Sequence, residues 1–457
     1  MFWERRSRTL PSLLRPNIAG ERHLAAVVHE PRIQRPAKRV IASLIQRLSR
    51  PSVAAIADQG VVSMANFLTG VVLARGLSQS QFGVYALGLS VVLLILDLQT
   101  SLTSTPYMVF GPQLDQKGRY TYLTSTMVHQ VAIGILIAVG LTVTGLAIQM
   151  TNGGELGAAL LILGMVVALI LFRDFARRIC FADQQPASAL LLDILATVLQ
   201  LGAILMLLWS DALTVATAFL AIGLATGIPS IIWILIRRRQ IHFSYSAVTQ
   251  DLKKNWQFGK WVLFSGALWA SSLHFYPWLL AFAQGTSATA VWAVGLGVVS
   301  IANPLKLGYQ NHLGPEISNR HASGGMHAVR NAVRAGSRRF ILIISPVVLL
   351  LILFGGEAAV LIYGDDYSGL GLLVGILAVD LLVSVVAFSF SRGLFALNQA
   401  YLDMKVNFVA VGVLATTGIW LAWSMGPVGA AIGLLLANLA ATTIRGRAFF
   451  RVTERPT

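Results

Sequence analysis

The chain has 457 residues, of which 56% are apolar and only 12% charged, and its mean hydropathy is +0.70. Such a composition excludes a soluble domain around one core and predicts an integral membrane protein. A net charge of +16 would ordinarily suggest nucleic acid as a partner, but the charge gathers on one face of the predicted topology. Nucleic acid is therefore excluded, and anionic lipid headgroups are the expected neighbours. The single cysteine, Cys180, excludes a disulfide framework and a cysteine-ligated metal site. The histidines are scattered without ligand spacing, so neither a metal nor another cofactor is expected.

Residues 1–52 carry eleven basic side chains, several prolines and no apolar stretch that could serve as a secretory signal core. Within this leader Val40, Ile41, Leu44, Ile45 and Leu48 recur at helical spacing beside Lys38, Arg39, Arg47 and Arg50. That pattern suits a basic amphipathic helix on the inner leaflet, or else the leader is a partly disordered tail. Apolar runs then follow, each about 20 residues, the length a helix needs to cross about 30 Å of hydrocarbon. They predict twelve spans, at 53–74, 85–106, 126–148, 157–180, 188–208, 213–236, 259–282, 288–308, 340–363, 368–391, 404–424 and 427–447. The first six form an amino-terminal bundle over 53–236, a connector runs over 237–258, the second six fill 259–447, and 448–457 is a tail.

Every one of the 35 basic residues except Arg75 lies at a terminus or at the even-numbered gaps and the span ends beside them. Basic residues near span ends stay cytoplasmic, so both termini are expected in the cytosol, with short, base-poor turns outside. The outside charges are mostly acidic: Glu155, Asp211, Glu357, Asp365 and Asp366.

The chain also repeats itself. Residues 71–94, VVLARGLSQSQFGVYALGLSVVLL, align without a gap on 278–301, WLLAFAQGTSATAVWAVGLGVVSI, with nine identities in 24 positions. The offset of 207 residues carries span 1 onto span 7 and span 2 onto span 8. The predicted fold is therefore all-α, two six-helix bundles related by a pseudo-two-fold along the membrane normal. Two bundles facing a central cavity are what alternating access requires, which favours a transporter over a receptor or an enzyme. No G-x-x-x-x-G-K-[ST] loop is present, which argues against direct ATP hydrolysis.

Ala74, Arg75, Leu77, Phe82, Gly83 and Tyr85 form an Ala-Arg-x-Leu turn followed by a Phe-Gly-x-Tyr span start. Further on come the Tyr363-Gly364-Asp365-Asp366-Tyr367 turn, the Ala396-Leu397-Asn398 span exit and Gly426-Pro427-Val428-Gly429-Ala430-Ala431. In order and spacing these motifs resemble the polysaccharide-biosynthesis (Wzx-type) flippases of the MOP superfamily, whose fold is MATE-like. The resemblance implies a multi-pass protein of the bacterial inner membrane that moves an undecaprenyl-diphosphate-linked oligosaccharide to the periplasmic leaflet, with a polysaccharide polymerase and export machinery as further partners. A multidrug extruder of the same fold, a fourteen-span lipid II flippase and a membrane glycan polymerase or ligase are the rival readings. The span count disfavours the second, and the short exterior gaps disfavour the third.

Against that implied activity, the ionisable residues at depth point to the working cavity. Asp97 in span 2 and Asp380 in span 10 are read as protonation, cation or sugar-hydroxyl sites, or as structural acids paired with neighbours. Asp58 and Asp193, nearer the cytoplasmic ends, lean toward the structural reading. Lys260, Lys306 and Arg392 are candidates for the diphosphate, or snorkel to the interface. Arg75 would pair with Asp365 or Asp366 to close the outward gate, receive the flipped diphosphate, or simply tie the halves together. Asn66, His129, Gln130, His274, Tyr276 and Asn303 complete the expected lining.

Overall fold

The computed structural model describes residues 51–152 and 154–454. The basic leader, with its amphipathic stretch from Val40 to Leu48, lies outside the described residues. Among the described residues all regular structure is helical. Helices are what apolar spans must form, because hydrocarbon offers the backbone N–H and C=O groups no other partner.

Helix α1 (Pro51–Gly76) ends beside Arg75, and a two-residue turn leads into α2 (Gln79–Gln99). That turn is tight because Ser78 and Gln81 form a reciprocal capping box at the α2 start. A π turn (Thr100–Ser104) carries α2 into α3 (Thr105–Phe110), so span 2 continues beyond its predicted end. Helices α4 (Gln116–Asn152), α5 (Glu155–Ala182), α6 (Pro186–Trp209) and α7 (Val215–Arg237) complete the first half. The second half holds α8 (Tyr245–Gln284), α9 (Thr286–Val299), α10 (Asn303–Tyr363), α11 (Gly371–Ala396), α12 (Ala400–Val413) and α13 (Ile419–Glu454).

Nine segments are long and apolar enough to cross a membrane among the described residues. Two of these are hairpins. Thr286–Tyr363 turns back at Gly324 and Gly325, so that Leu313 of one limb meets Gly336 of the other. Tyr401–Glu454 turns back at Gly426, whose φ of +64° suits glycine, with Pro427 fixed at the head of the next limb. With each hairpin counted as two crossings and α8 added, the structure makes the twelve spans read from the sequence.

Several helices outrun their predicted spans. The connector is largely helical: α8 begins at Tyr245, and the first limb of α10 runs well past residue 308. Apolar composition marks only the part of a helix inside hydrocarbon, whereas the polar turns that continue it carry no such mark.

The halves meet through α2, which packs on α8 and α9. At the end that carries Arg75, residues of both halves share one apolar core containing Leu73, Leu77, Phe82, Ala290, Tyr363 and Tyr367. At the opposite, basic end the cores are separate. One joins Tyr107, Tyr122, Phe175 and Trp233 of the first half, and the other joins Leu313, Ile317, Val333 and Phe449 of the second. There α8 bridges the halves, through Tyr122 Oη donating to Asn255 Oδ1 (2.6 Å) and His129 Nε2 beside the Val248 carbonyl (2.9 Å). The halves thus share one core at the base-poor end and keep separate cores, bridged by α8, at the basic end.

Candidate functional site

The two acids at mid-depth are held differently. Asp97 lies near the end of α2 with its side chain 58% exposed, and Nε2 of His274 on α8 stands 3.7 Å from its Oδ2. An exposed carboxylate at this depth cannot face hydrocarbon, so it faces the space between the halves. The pair therefore straddles the two halves, close enough for a proton or water to join them.

Asp380 on α11 is buried, and Nδ2 of Asn438 on α13 donates to its Oδ1 at 2.7 Å. Lys306, partly buried in the first limb of α10, is the cation acting on that carboxylate. Asp380, Lys306 and Asn438 all belong to the second half. Asn438 carried a signal that the sequence analysis passed over, being an amide inside an apolar run.

The remaining predicted site residues separate into exposed and buried sets. Lys260 is exposed with its ammonium 5.4 Å from the Trp261 ring. Arg392 is exposed between the Phe388 and Phe395 rings, its guanidinium carbon 4.7 and 5.6 Å from their centroids, and its stem reaches Gly314 on α10. Nearby, one face of α10 forms a recess of ≈ 460 Å³ lined by His312, Pro315, Glu316, Asn319, Arg320 and Ser323. Asn66 is exposed on α1, and Asn303 is half-buried at the head of α10.

Tyr276 is buried inside the second half. Its hydroxyl points at Gly418 and Gly433, and its ring lies 5.7 Å from that of Trp292. Two residues along a helix turn the side chain through about 200°, which separates Tyr276 from His274. His129 and Gln130 are likewise buried in the first half.

At the base-poor end, Arg75 does not pair with Asp365 or Asp366. Its Nε donates to the carbonyl of Ile362 (2.7 Å) and its Nη2 to that of Leu361 (2.5 Å). These are last-turn carbonyls of α10, which lack helical partners and carry the negative end of the helix dipole. Around this clasp Gln79 Nε2 donates to the Asp366 carbonyl (3.3 Å), and the Ser80 and Thr286 hydroxyls lie 2.7 Å apart. Phe82 meets Tyr367 edge-on at 6.4 Å. Gly83 allows the closest approach, since a Cβ there would fall 1.8 Å from the Thr286 carbonyl oxygen. Thr286 was not singled out in the sequence. Its role appears only when the first motif and the start of α9 are brought together.

At the basic end, charges pair within each half. Asp58 of α1 and Asp193 of α6 are fully buried and share Arg177 of α5. Arg173 reaches Asp193 at 2.7 Å. Asp183 joins Arg119 (2.5 Å) to Arg237. In the second half Arg445 Nε donates to Asp403 (2.6 Å) and Nη2 to Asn407 (2.8 Å).

Among known families, a model of polysaccharide biosynthesis proteins matches residues 52–307. No curated protein matches the chain. Among solved structures, an inward-facing multidrug resistance MATE family transporter of the MOP superfamily superposes with a TM-score of 0.69 at 16% identity, covering 87% of this chain and 98% of that one. An outward-facing MATE family transporter gives 0.60 at 16% identity, covering 90% and 95%. A MOP superfamily transporter from Pyrococcus furiosus gives 0.60 at 15% identity, covering 90% and 96%. These likenesses establish the MATE-like fold.

Proposed function

Since the chain belongs to the polysaccharide biosynthesis protein family, we propose that this membrane transporter flips an undecaprenyl-diphosphate-linked oligosaccharide from the cytoplasmic to the periplasmic leaflet of a bacterial inner membrane. The family match over residues 52–307 carries the reading. Three features of the geometry support it. The halves share one core at one end and keep separate cores at the other, an asymmetry that suits one state of an alternating-access carrier. Polar and charged groups at depth, Asp97 with His274 and Lys306 with Asp380, supply hydrogen bonds inside a hydrocarbon slab. Exposed cations, Lys260 and Arg392, stand at the basic end where a diphosphate would arrive, Arg392 held between aromatic rings that leave its guanidinium free to bridge phosphate oxygens.

In this reading the basic end faces the cytosol and both termini lie there. The headgroup enters between the halves while the polyprenyl tail stays in lipid. Closure at the cytosolic face and release of the Arg75 clasp then expose it to the periplasm. Asp97 and Asp380 are the candidates to couple this motion to a cation or proton gradient. A polymerase and export machinery would consume the product.

Deletion of the gene, followed by assay of secreted polymer and of lipid-linked repeat units in inner-membrane vesicles, tests the proposal. Lost polymer with intermediates trapped on the cytoplasmic leaflet is the expected result. Normal polymer with altered sensitivity to cationic toxins would move the protein to drug extrusion, and polymer of altered length would move it to polymerisation.

A further inference from the structure

In the first half, one buried place holds more polar groups than partners. Gln99, the last residue of α2 before the π turn, is fully buried, and neither its amide oxygen nor its amide nitrogen has a hydrogen-bond partner among the described residues. Against the π turn that follows it stands Gln130 of α4, 1% exposed, whose nitrogen is also unpaired. Thr103 links the two. Its Oγ1 lies 3.0 Å from Gln130 Oε1 and 2.9 Å from the Gln99 carbonyl, yet its hydroxyl has one hydrogen and can donate to only one of them. Swapping the ends of the Gln130 amide moves the unpaired atom from nitrogen to oxygen without removing it. Thr100 Oγ1 and Ser104 Oγ on the same turn have no partner either.

Each buried polar group left unpaired costs about 1–3 kcal/mol, so a stable helix bundle does not carry several on one turn without a ligand. We infer that the unpaired polar groups of the π turn of span 2 and of Gln130 on span 3 bind a cluster of water molecules. The mixture of groups identifies the ligand class. Two amides offer N–H donors while Gln99 Oε1 and the hydroxyls offer acceptors, and none of these unpaired groups is a carboxylate. A metal cation takes acceptors only and would be repelled by the amide hydrogens, whereas water serves both kinds.

The location gives the water a role. Gly259 of α8 seats against this turn, where a Cβ would fall 2.6 Å from the Ser101 carbonyl oxygen, so the wet joint lies where the first half touches the second half's bridging helix. Water in a π turn exchanges partners at little cost. It lets the segment from Thr105 to Gln113 change its angle to the rest of span 2 while α8 keeps contact.

The test uses the full-length protein in lipid nanodiscs and reads thermal unfolding of Gln99→Leu and Thr103→Val. Loss of an amide or hydroxyl that holds water lowers the Tm of both below wild type. An unchanged or higher Tm in both overturns the inference, because an apolar isostere relieves a dry, unpaired group. Saturable stabilisation of the wild type by sodium over choline at equal ionic strength, abolished in Gln99→Leu, would overturn water in favour of a cation. Should either variant fail to fold, radiolytic hydroxyl labelling of the wild type decides. Labelling of the 99–104 turn despite its burial is the expected result, and its absence overturns the site.

Discussion

The two ends of the molecule are held together by different chemistry. At the basic end, full charges are buried in pairs, and each pair lies inside one half: Asp58, Arg177 and Asp193 in the first, Asp403 with Arg445 in the second. At the base-poor end the halves are joined to one another, and the joint is made of aromatic rings, hydroxyls and one arginine on backbone carbonyls. Separating a buried ion pair leaves an uncompensated charge in hydrocarbon, while separating rings and a clasp on carbonyls leaves groups that water can satisfy. Strong pairs inside each half and weak, rewettable contacts between the halves suit the proposed rocking of one half on the other.

The largest expected effect comes from breaking a pair inside a half. Arg177→Met leaves Asp58 and Asp193 buried with one guanidinium between them, a loss of about 3–5 kcal/mol. Little folded, monodisperse protein should survive detergent extraction, as read by size-exclusion chromatography. Yield equal to wild type would mean that the pairs do not hold the halves.

Next is the joint between halves. Gly83→Val drives a side chain into the Thr286 carbonyl, so the halves should fold normally but fail to close at the base-poor end. In a Cys180→Ala background, cysteines placed by Ser80→Cys and Thr286→Cys report closure, because the native hydroxyls lie 2.7 Å apart. Valine at position 83 should abolish that cross-link and polymer export together. A persistent cross-link would contradict the closed geometry.

The two acids sharpen the contrast at mid-depth. Asp380→Asn leaves Lys306 partly buried without its carboxylate and should cost about 1–3 kcal/mol as well as export. Asp97→Asn, at an exposed position facing the other half, should stay within about 0.5 kcal/mol of wild type in stability yet impair export. Unchanged export in both would remove the acids from the transport cycle. Arg75→Ala loses two charge-assisted bonds, an effect of about 1.5–3 kcal/mol on closure, or roughly tenfold or more in the cross-linked population. Arg75→Lys should recover only part, since one ammonium does not span the Leu361 and Ile362 carbonyls as a planar fork does.

The architecture was legible because its causes are written in residue types. Twelve crossings follow from hydropathy, the pairing of halves from the offset repeat, and the sharp reversal at Gly426 from a Gly-Pro pair. Contacts were less legible in proportion to how little the partner's identity contributes. Arg75 could be singled out as the lone base on its face, but its partners are main-chain carbonyls, which every residue offers, and nearby acids were the natural wrong choice. The link between Asp97 and His274 depends on how α8 rotates against α2, a register that no spacing within either helix determines. Asp58 and Asp193 leaned toward a structural reading because headgroup water was expected to reach them, whereas the structure buries both completely and pairs them with Arg173 and Arg177 of α5.

Tyr276 is where the smallest change is expected, and there a null result is informative. Tyr276 was expected to line the cavity, yet the ring is buried against Trp292 and its hydroxyl faces two glycines without a hydrogen-bond partner among the described residues. Tyr276→Phe keeps the packing and removes only the unpaired hydroxyl, so stability should be equal or higher by up to about 1 kcal/mol and export unchanged. On the opposite face of the same helix, His274→Phe removes the partner of Asp97 and should lower export. Opposite outcomes from residues two apart on α8 would show that one face of that helix works between the halves while the other is packing. Equal loss in both would place Tyr276 on the path of the substrate.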